Sequence, residues 1–335
     1  MMTETKKQSQ NQCAPKVSVI IPAYEIASCI AETLDSVFAQ TFTDFEVIIV
    51  NDGSPDTAEF EREILPFLDK IVYLKQKNGG ASSARNAAIR SARGEILAFL
   101  DGDDVWLPEY LASQIAFLEA SNFDMVYADA AFFGENVPPN QTYMQFSISN
   151  GAVTTESLLS WECSVITSGT IIYKEKFLAA GFFDESEVWR RAQDFEMWFR
   201  LLKHGARIGY QREVLLKYRL RRGSLTGNSI VQAERNIDSL NGILAKFELT
   251  PGENRALNNQ LQVAKAILQI ETGKAALLGG DYEKARENFS AANRFYRKPK
   301  LAVINLLLKF APATLRRIFQ KRLEIAPPHS HADVL

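Results

Sequence analysis

Short apolar runs alternate with amphipathic stretches through the first part of this chain, and that alternation constrains its fold more than any other feature. Short apolar runs between turn residues are typical of buried strands, and apolar residues at a spacing of three to four are typical of helices. Strands that alternate with helices predict an α/β fold with a largely parallel sheet, covered on both faces. The predicted strands are Val17–Ile21, Phe45–Val50, Ile71–Leu74, Ile96–Leu100, one that begins at Met125, Ser168–Tyr173 and Val214–Leu220. The predicted helices of this part are Ile26–Gln40, Ala81–Ser91 and Pro108–Ala120.

The predicted strand Ile96–Leu100 runs directly into an acidic loop, Asp101-Gly102-Asp103-Asp104. Carboxylates this close raise one another's pKa unless a cation lies among them, and Mg²⁺ or Mn²⁺ prefers oxygen ligands. Ligands of open α/β sheets bind at the carboxyl ends of strands. The loop therefore predicts a site for a divalent cation and a phosphorylated substrate. An acidic turn is the alternative, and an EF-hand is disfavoured because its ligand spacing is missing.

Composition narrows the class of protein. A net charge of −2 over 335 residues argues against a general nucleic-acid binder. The three cysteines, Cys13, Cys29 and Cys163, are far apart and suit free thiols in a reducing compartment. Residues 1–12 lack the apolar core of a signal peptide, and no stretch of about 18 apolar residues is present. We therefore expect a cytoplasmic protein without a membrane-spanning helix.

Four further motifs carry functional side chains. Asp52 follows the second predicted strand, where a carboxylate could accept hydrogen bonds from a nucleoside base or a ribose. Arg85 could present its planar guanidinium to a nucleotide or a diphosphate. Asp194 lies early in the predicted helix Gln193–His204, where helix capping is the alternative to a catalytic role. The fourth motif is a basic stretch with hydroxyl groups, residues 218–226.

In order and spacing, the motifs resemble those of the family 2 inverting glycosyltransferases of the GT-A fold. The resemblance covers about residues 16–226. It implies a Rossmann-like, mixed and mainly parallel sheet with helices on both faces. The matching motifs are Pro22-Ala23-Tyr24, Val50-Asn51-Asp52-Gly53-Ser54, Asn78-Gly79 to Ala84-Arg85-Asn86, Leu100-Asp101-Gly102-Asp103-Asp104, Gln193-Asp194 and Tyr218-Arg219.

The resemblance implies a nucleotide-sugar donor, often UDP-linked, a divalent metal (Mg²⁺ or Mn²⁺) on its diphosphate, and a saccharide or lipid-linked saccharide acceptor. By the same resemblance Asp194 matches the catalytic base and Asp103 the metal ligand, with Asp104 as a helper. Asp52 matches the contact to the nucleoside and Asp101 the contact to the ribose. The positions implied in donor binding are Pro22, Tyr24, Asp52, Arg85, Asp101, Arg219 and Arg221.

The chemistry explains why these residue types are needed. An acceptor hydroxyl is a poor nucleophile, so a carboxylate must take its proton as the bond to the anomeric carbon forms; such bases contribute roughly 10²–10⁴-fold. The leaving diphosphate gathers negative charge, which a metal and arginines neutralise. One base with direct displacement predicts inversion at the sugar, because no second carboxylate is required as a nucleophile.

Three positions depart from the family's pattern. Gln193 replaces a common Glu, but the following Asp194 is the residue assigned as base. Arg221 replaces a common His; arginine cannot ligate a metal, so Arg221 is predicted to bind the diphosphate directly and to weaken metal dependence. Glu25 replaces a common Asn, which leaves the base contacts there undefined. Trp189, just before the predicted base, is the candidate platform for stacking on a sugar.

From about residue 228 the pattern becomes helical, with breaks at Pro251-Gly252, Gly279-Gly280 and Pro299. Residues 278–292 resemble the second half of a tetratricopeptide unit, but one unit is too few for a solenoid. A helical hairpin packed on the catalytic domain is therefore the favoured alternative. The predicted organisation is a disordered leader (1–15), a GT-A domain (16–227), a helical region (228–325) and a flexible tail (326–335).

Residues 296–323 hold eight Lys or Arg and no Asp or Glu. Basic amphipathic helices bind anionic membranes with about 1 kcal/mol per basic residue near the lipid. The hypothesis is peripheral attachment to the inner face of the cell membrane, beside a lipid-linked or growing polysaccharide acceptor. A core-facing helix with a solvated basic side is the alternative.

Two other functions are weighed against sugar transfer. A sugar nucleotidyltransferase usually carries a Gly-rich basic loop after its first strand, and Pro22-Ala23-Tyr24-Glu25 is not such a loop. A non-catalytic scaffold would not need the acids at 101, 103 and 194. A dinucleotide dehydrogenase is disfavoured because no Gly-x-Gly-x-x-Gly follows the first predicted strand.

Overall fold

The computed structural model describes residues 14–135, 137, 141–189, 192–221 and 229–325. The predicted tail and nearly all of the predicted leader lie outside these residues. So do Cys13 and residues 222–226 of the basic stretch.

One mixed sheet of eight strands forms the centre of the molecule, in the order β3-β2-β1-β4-β7-β6-β8-β5. The pairs β3–β2, β2–β1 and β1–β4 are parallel, whereas β7 runs antiparallel to both β4 and β6. β8 is parallel to β6, and β5 is antiparallel to β8. The strands are β1 (Val17–Ala23), β2 (Phe45–Asn51), β3 (Ile71–Lys75), β4 (Ile96–Phe99), β5 (Val105–Trp106), β6 (Met125–Gly134), β7 (Thr170–Tyr173) and β8 (Ile208–Leu220).

Helices pack against this sheet and continue beyond it, so the predicted α/β class is confirmed. The helices of the sheet region are α1 (Ala27–Phe38), α2 (Thr57–Ile64), α3 (Gly80–Ser91), α4 (Tyr110–Ala120), α5 (Tyr143–Phe146), α6 (Thr155–Leu159), α7 (Lys174–Ala180) and α8 (Gln193–Lys203). The helices of the carboxy-terminal part are α9 (Ser229–Lys246), α10 (Pro251–Gly279), α11 (Tyr282–Tyr296), α12 (Pro299–Phe310) and α13 (Pro312–Ile325).

The central strands β1 and β4 are buried almost throughout. Because both faces of these strands are covered, they read as mostly apolar runs rather than as alternating ones. Because β1, β2 and β4 are parallel, their carboxyl ends meet at one edge of the sheet. That edge carries Asp52 after β2 and the acidic loop after β4.

The middle of the chain differs most from the sequence prediction. The strand predicted at 214–220 begins at Ile208, and its pairing with β6 has two register shifts, near Asp129. At those shifts the polar pair Arg212-Glu213 drops out of the pairing. A β-bulge of this kind breaks the alternation that identifies a strand in a sequence. Helices α2, α5, α6 and α7 were not predicted either; three of them are under eight residues long.

The carboxy-terminal helices contribute to two apolar cores. Leu240 of α9 and Leu257 of α10 are buried in the same cluster as the sheet. Further along α10, Leu277 belongs to a second cluster shared with α11, α12 and α13. The predicted small-residue face of α11 is buried in this second core; its assignment to the tetratricopeptide class stays a prediction.

Candidate active site

Asp52 fixes the segment that leads into α3. Its carboxylate is buried and accepts hydrogen bonds from the backbone N–H of Gly79 (2.9 Å) and Gly80 (2.7 Å). The side-chain amide of Gln76 donates a third, at 2.7 Å. A carboxylate at a helix N-terminus is stabilised by the helix dipole. Asp52 therefore sets the start of α3, and with it the position of Arg85.

Arg85 and Asp101 form an ion pair at the carboxyl edge of the sheet, in which the arginine is buried and the aspartate is partly exposed. The Arg85 Nη2 lies 2.5 Å from Oδ1 of Asp101, and the arginine side chain is 4% exposed. The backbone N–H of Asp101 donates to Oγ of Ser168 at 3.2 Å. The structure thus brings together two predicted donor-binding residues, each on a separate βα segment.

Asp103 faces the end of β8. Its Oδ2 lies 2.7 Å from an Nη of Arg221, and its backbone oxygen accepts from Nε of Arg219 at 2.7 Å. Burial and the neighbouring Asp101 raise the pKa of Asp103, although Arg221 and Arg219 oppose the shift. Asp103 is therefore held between a negative neighbour and two arginines, all at one edge of the sheet.

Asp104 is the most enclosed acid of the loop. Its side chain is buried, and its Oδ1 accepts from the backbone N–H of Arg219 at 2.9 Å. Burial, followed by the charges of Asp103 and Asp101, raises the pKa of Asp104 well above its usual range. The side chain therefore anchors β8 to the acidic loop, and its role as a metal helper stays a prediction.

The acidic loop fits a divalent cation by the chemistry of its donors, since carboxylate oxygens are the ligands that Mg²⁺ and Mn²⁺ prefer. In the part of the chain that the structure describes, no group of three or more His, Cys, Asp or Glu side chains is arranged to enclose a metal. Mg²⁺ commonly binds through one or two carboxylates plus substrate phosphates. Asp103, with Asp104, would be the protein's share of such a site.

Asp194 lies in the first turn of α8 and is half-buried. The residue at the N-cap position of α8 is Ala192, so the N-cap alternative for Asp194 is wrong. Its Oδ2 accepts from Oγ1 of Thr167 at 3.2 Å. The next residue, Ser168, holds the backbone of Asp101. Two consecutive residues therefore connect the predicted base to the acidic loop.

Asp194 lines a cavity of about 530 Å³, which we call the Asp194 cavity. Tyr143 and Tyr218 line it, with ring centroids 5.6 Å apart. Burial and then Asp104 raise the pKa of Tyr218 well above its usual range, with smaller effects from Tyr143, Asp101 and Asp103. Tyr218 therefore lies between the acids of the loop and the cavity that Asp194 faces.

Trp189 does not occupy the predicted sugar platform. Its side chain is 2% exposed, and a Cβ added at Gly242 of α9 would lie 2.7 Å from its ring. The ring is therefore packed under α9 and has no face left for a sugar. Of the first motif, Pro22 lies within β1, and Tyr24 beyond its end is 45% exposed.

Sequence reasoning missed several residues that the structure brings to the site. Ser168 begins a predicted strand and Thr167 precedes it, and only the structure brings their hydroxyls to Asp101 and Asp194. No motif marks Trp161 or the α9 residues that complete the cavity wall.

Two solved structures establish the class to which this fold belongs. S. aureus TarS 1-349 in complex with UDP-GlcNAc aligns with a TM-score of 0.53 and 20% identity, over 84% of this chain and 91% of that one. Mannosyltransferase PcManGT from Pyrobaculum calidifontis, in complex with GDP-Man and Mn²⁺, aligns with a TM-score of 0.58 and 16% identity. That alignment covers 92% of this chain and 88% of the other. The chain has a GT-A-like fold, as predicted.

Sequence comparison gives the family. The model of glycosyl transferase family 2 matches residues 18–182. An uncharacterized glycosyltransferase of Rickettsia prowazekii is 33% identical over 246 residues, which are 71% of this chain and 74% of the relative. The UDP-Glc:alpha-D-GlcNAc-diphosphoundecaprenol beta-1,3-glucosyltransferase WfgD of Escherichia coli is 27% identical over 230 residues, 67% of this chain and 85% of the relative. The chain belongs to glycosyl transferase family 2.

Proposed function

We propose that this protein is an inverting glycosyltransferase that moves a sugar from a nucleotide-diphosphate sugar, UDP-linked, to an acceptor hydroxyl in polysaccharide or glycolipid assembly. The observation that carries the proposal is the connection of Asp194 to Asp101 through the consecutive residues Thr167 and Ser168. These contacts hold the Asp194 carboxylate in the wall of a cavity, beside the acidic loop. The UDP-GlcNAc bound by TarS and the lipid-linked acceptor named for WfgD support the choice of substrates.

In this mechanism Asp194 takes the proton of the acceptor hydroxyl as the new bond forms at the anomeric carbon. Asp52 binds the nucleoside and Asp101 the ribose. Arg85, which lies beside Asp101, and Arg221, which lies beside Asp103, neutralise the leaving diphosphate. A Mg²⁺ or Mn²⁺ held by Asp103, with Asp104, would add further charge neutralisation there.

A panel of nucleotide sugars, each with Mg²⁺, Mn²⁺ or EDTA, tests the donor and the metal together. The measurement is released nucleoside diphosphate in the presence of saccharide acceptors. We expect release from one or a few UDP-sugars, with partial activity remaining in EDTA because Arg221 already neutralises Asp103. Absence of release with every donor would contradict the proposal.

We also propose that the carboxy-terminal helices dock on an anionic membrane surface at the inner face of the cell membrane. Helix α12 buries Leu301, Ile304 and Leu308 in the second core. On the opposite side its apolar residues Val303, Leu306 and Phe310 are 53–71% exposed.

Exposed lysines flank these apolar residues of α12 at 298, 300 and 309. A basic helix with an exposed apolar face is the composition that binds anionic lipid interfaces. Among the described residues, no helix has the length and hydropathy to cross a bilayer.

Substitution of the exposed pair, Leu306→Glu with Phe310→Glu, tests this docking without disturbing the second core. Sedimentation with vesicles containing phosphatidylglycerol measures it, and we expect at least about a tenfold loss of binding. The control is Leu65→Glu with Leu68→Glu, an equally exposed apolar pair in the first part of the chain. Vesicle binding that survives the α12 change would contradict the proposal. Deletion of 296–335 is a poorer test because it removes half of the second core.

A further inference from the structure

One wall of the Asp194 cavity comes from the carboxy-terminal helices. Gln232, Arg235, Asn236 and Ser239 of α9 line it. Their spacing of three, one and three places them on one face of the helix. Leu240 and Ile243 bury the adjoining face of α9 in the main core. Helix α9 therefore presents a polar face to the base from a rigid position.

The opposite part of the wall includes Trp161, just after α6. Its backbone φ is +58°, a left-handed conformation that glycine usually adopts at the end of a helix. The backbone N–H groups of Glu162 and Cys163 both donate to the oxygen of Ser157, at 2.9 and 3.1 Å, and hold this turn. A bulky residue kept in such a conformation is a reason to look for a function.

Trp161 differs from the other tryptophans of the chain in its exposure. Trp106, Trp189 and Trp198 are each 1–2% exposed, whereas Trp161 is only partly buried. Trp161 and Trp198 both line the cavity, and Trp161 is the more exposed of the two. An aromatic ring offers an apolar face, and the C–H face of a sugar ring is its natural complement.

The polar groups of the cavity are mostly neutral. Among its described lining residues only Asp194 and Arg235 are charged, and seven of the other sixteen carry an amide or a hydroxyl group. Within the described part of the chain, Oε1 of Gln232 has no hydrogen-bond partner, while its Nε2 donates to Asn236 at 3.2 Å. Neutral amides that converge beside an aromatic ring suit the hydroxyls of a saccharide.

We infer that the Asp194 cavity is the acceptor subsite, in which the ring of Trp161 stacks on a saccharide and the amides of Gln232 and Asn236 bind its hydroxyls. This inference rests on the proposed function, because it assigns the second substrate of that reaction. The cavity volume, about 530 Å³, lies within the range of small-molecule sites, roughly 300–1,000 Å³. The acceptor hydroxyl would then meet Asp194 with its sugar ring already oriented.

Intrinsic fluorescence tests binding without a donor. The probes are the methyl β-glycosides of glucose, galactose and N-acetylglucosamine, titrated into the full-length protein. We expect a saturable change in tryptophan emission with at least one glycoside. The change should be strongly reduced in Trp161→Phe, because Trp198, the other tryptophan that lines the cavity, is only 1% exposed. The matched control is Trp189→Phe, which removes a buried tryptophan outside the cavity and should keep the change.

Kinetics with the same glycosides supply the second readout. Trp161→Ala should raise the acceptor KM at least tenfold, while the donor KM and the slow donor hydrolysis without acceptor stay unchanged. Trp161→Phe should restore most of the acceptor KM.

Three results would overturn the inference: no emission change with any of the glycosides, a change of undiminished size in Trp161→Phe, or an acceptor KM unaltered by Trp161→Ala. If the wild-type protein releases no nucleoside diphosphate from any nucleotide sugar, with or without an acceptor, the proposed function fails instead. An active enzyme whose acceptor KM is unchanged by Trp161→Ala would rule out the subsite but leave the proposed function standing.

Discussion

The proposed donor side and the proposed acceptor side of this site, called the donor side and the acceptor side below, are built on different principles. The donor side consists of side chains that follow parallel strands, Asp52 after β2 and the acidic loop after β4. Its charges are already paired, Arg85 with Asp101 and Arg221 with Asp103. The acceptor side is the Asp194 cavity, assembled from short helices, a strand end and α9, with few charges.

The difference follows from what each side has to bind. A nucleotide diphosphate carries the same charged groups whatever sugar it bears, so one arrangement of acids and arginines at a sheet edge serves every donor. In the proposed reaction, Arg85 and Arg221 exchange their contacts to Asp101 and Asp103 for contacts to the diphosphate when the donor binds. An acceptor is defined by its hydroxyls, and a cavity of neutral groups on separate segments can vary without disturbing the sheet.

The largest expected effect lies on the acceptor side. Asp194→Asn keeps the shape of the side chain but cannot accept the proton, so kcat should fall at least about a hundredfold. Donor binding, measured by calorimetry, should stay as in the wild type because the donor side is intact. Asp184→Asn is the control, since that acid pairs with Lys246 away from the cavity. A fully active Asp194→Asn enzyme would mean that another group is the base.

A smaller effect is expected on the donor side. Arg221→Gln removes a charge-assisted contact worth about 1.5–3 kcal/mol when made to a phosphate. UDP binding in EDTA should therefore weaken about tenfold or more. Lys217→Gln, which removes an exposed cation from β8, the strand that ends just before Arg221, should change it little. Equal affinity of the Arg221→Gln variant and the wild type for UDP would mean that Arg221 does not bind the diphosphate.

The smallest effect tests how α9 is fixed over the site. Gly→Ala inside a helix normally stabilises a protein by about 1 kcal/mol. At Gly242 the added Cβ meets the Trp189 ring at 2.7 Å, and overpacking costs about 1–3 kcal/mol. Denaturant unfolding should thus show Gly242→Ala to be destabilised by about 1 kcal/mol.

Gly279 of α10 provides the matched control, because a Cβ there would meet no atom within 4 Å. Gly279→Ala should be neutral or stabilising. A stabilised Gly242→Ala protein would mean that Trp189 does not pack under α9 as described.

The donor side could be predicted from sequence because each of its motifs is contiguous and directly follows a buried strand. The position of Asp52 beside Asp101 follows from the rule that parallel strands end at one edge of the sheet. Asp194 was identified through family resemblance, since an acid in the first turn of a helix has many ordinary roles.

The acceptor side could not be predicted because nothing in the sequence aligns its segments. Trp161 and Gln232 are far apart along the chain and meet only through the packing of α6, α8 and α9. Trp189 was chosen for its nearness to Asp194 in sequence, yet a short 3₁₀ turn at 187–189 leads its ring under Gly242 instead. Proximity along the chain was therefore a poor guide there.

The central claim is that a single carboxylate, Asp194, primes the acceptor for direct displacement of the nucleotide. The most direct measurement is the anomeric configuration of the product formed from an α-linked UDP-sugar, read from its proton NMR couplings. The account predicts a β-linked product. An α-linked product would contradict it, because direct displacement inverts the configuration of the anomeric carbon.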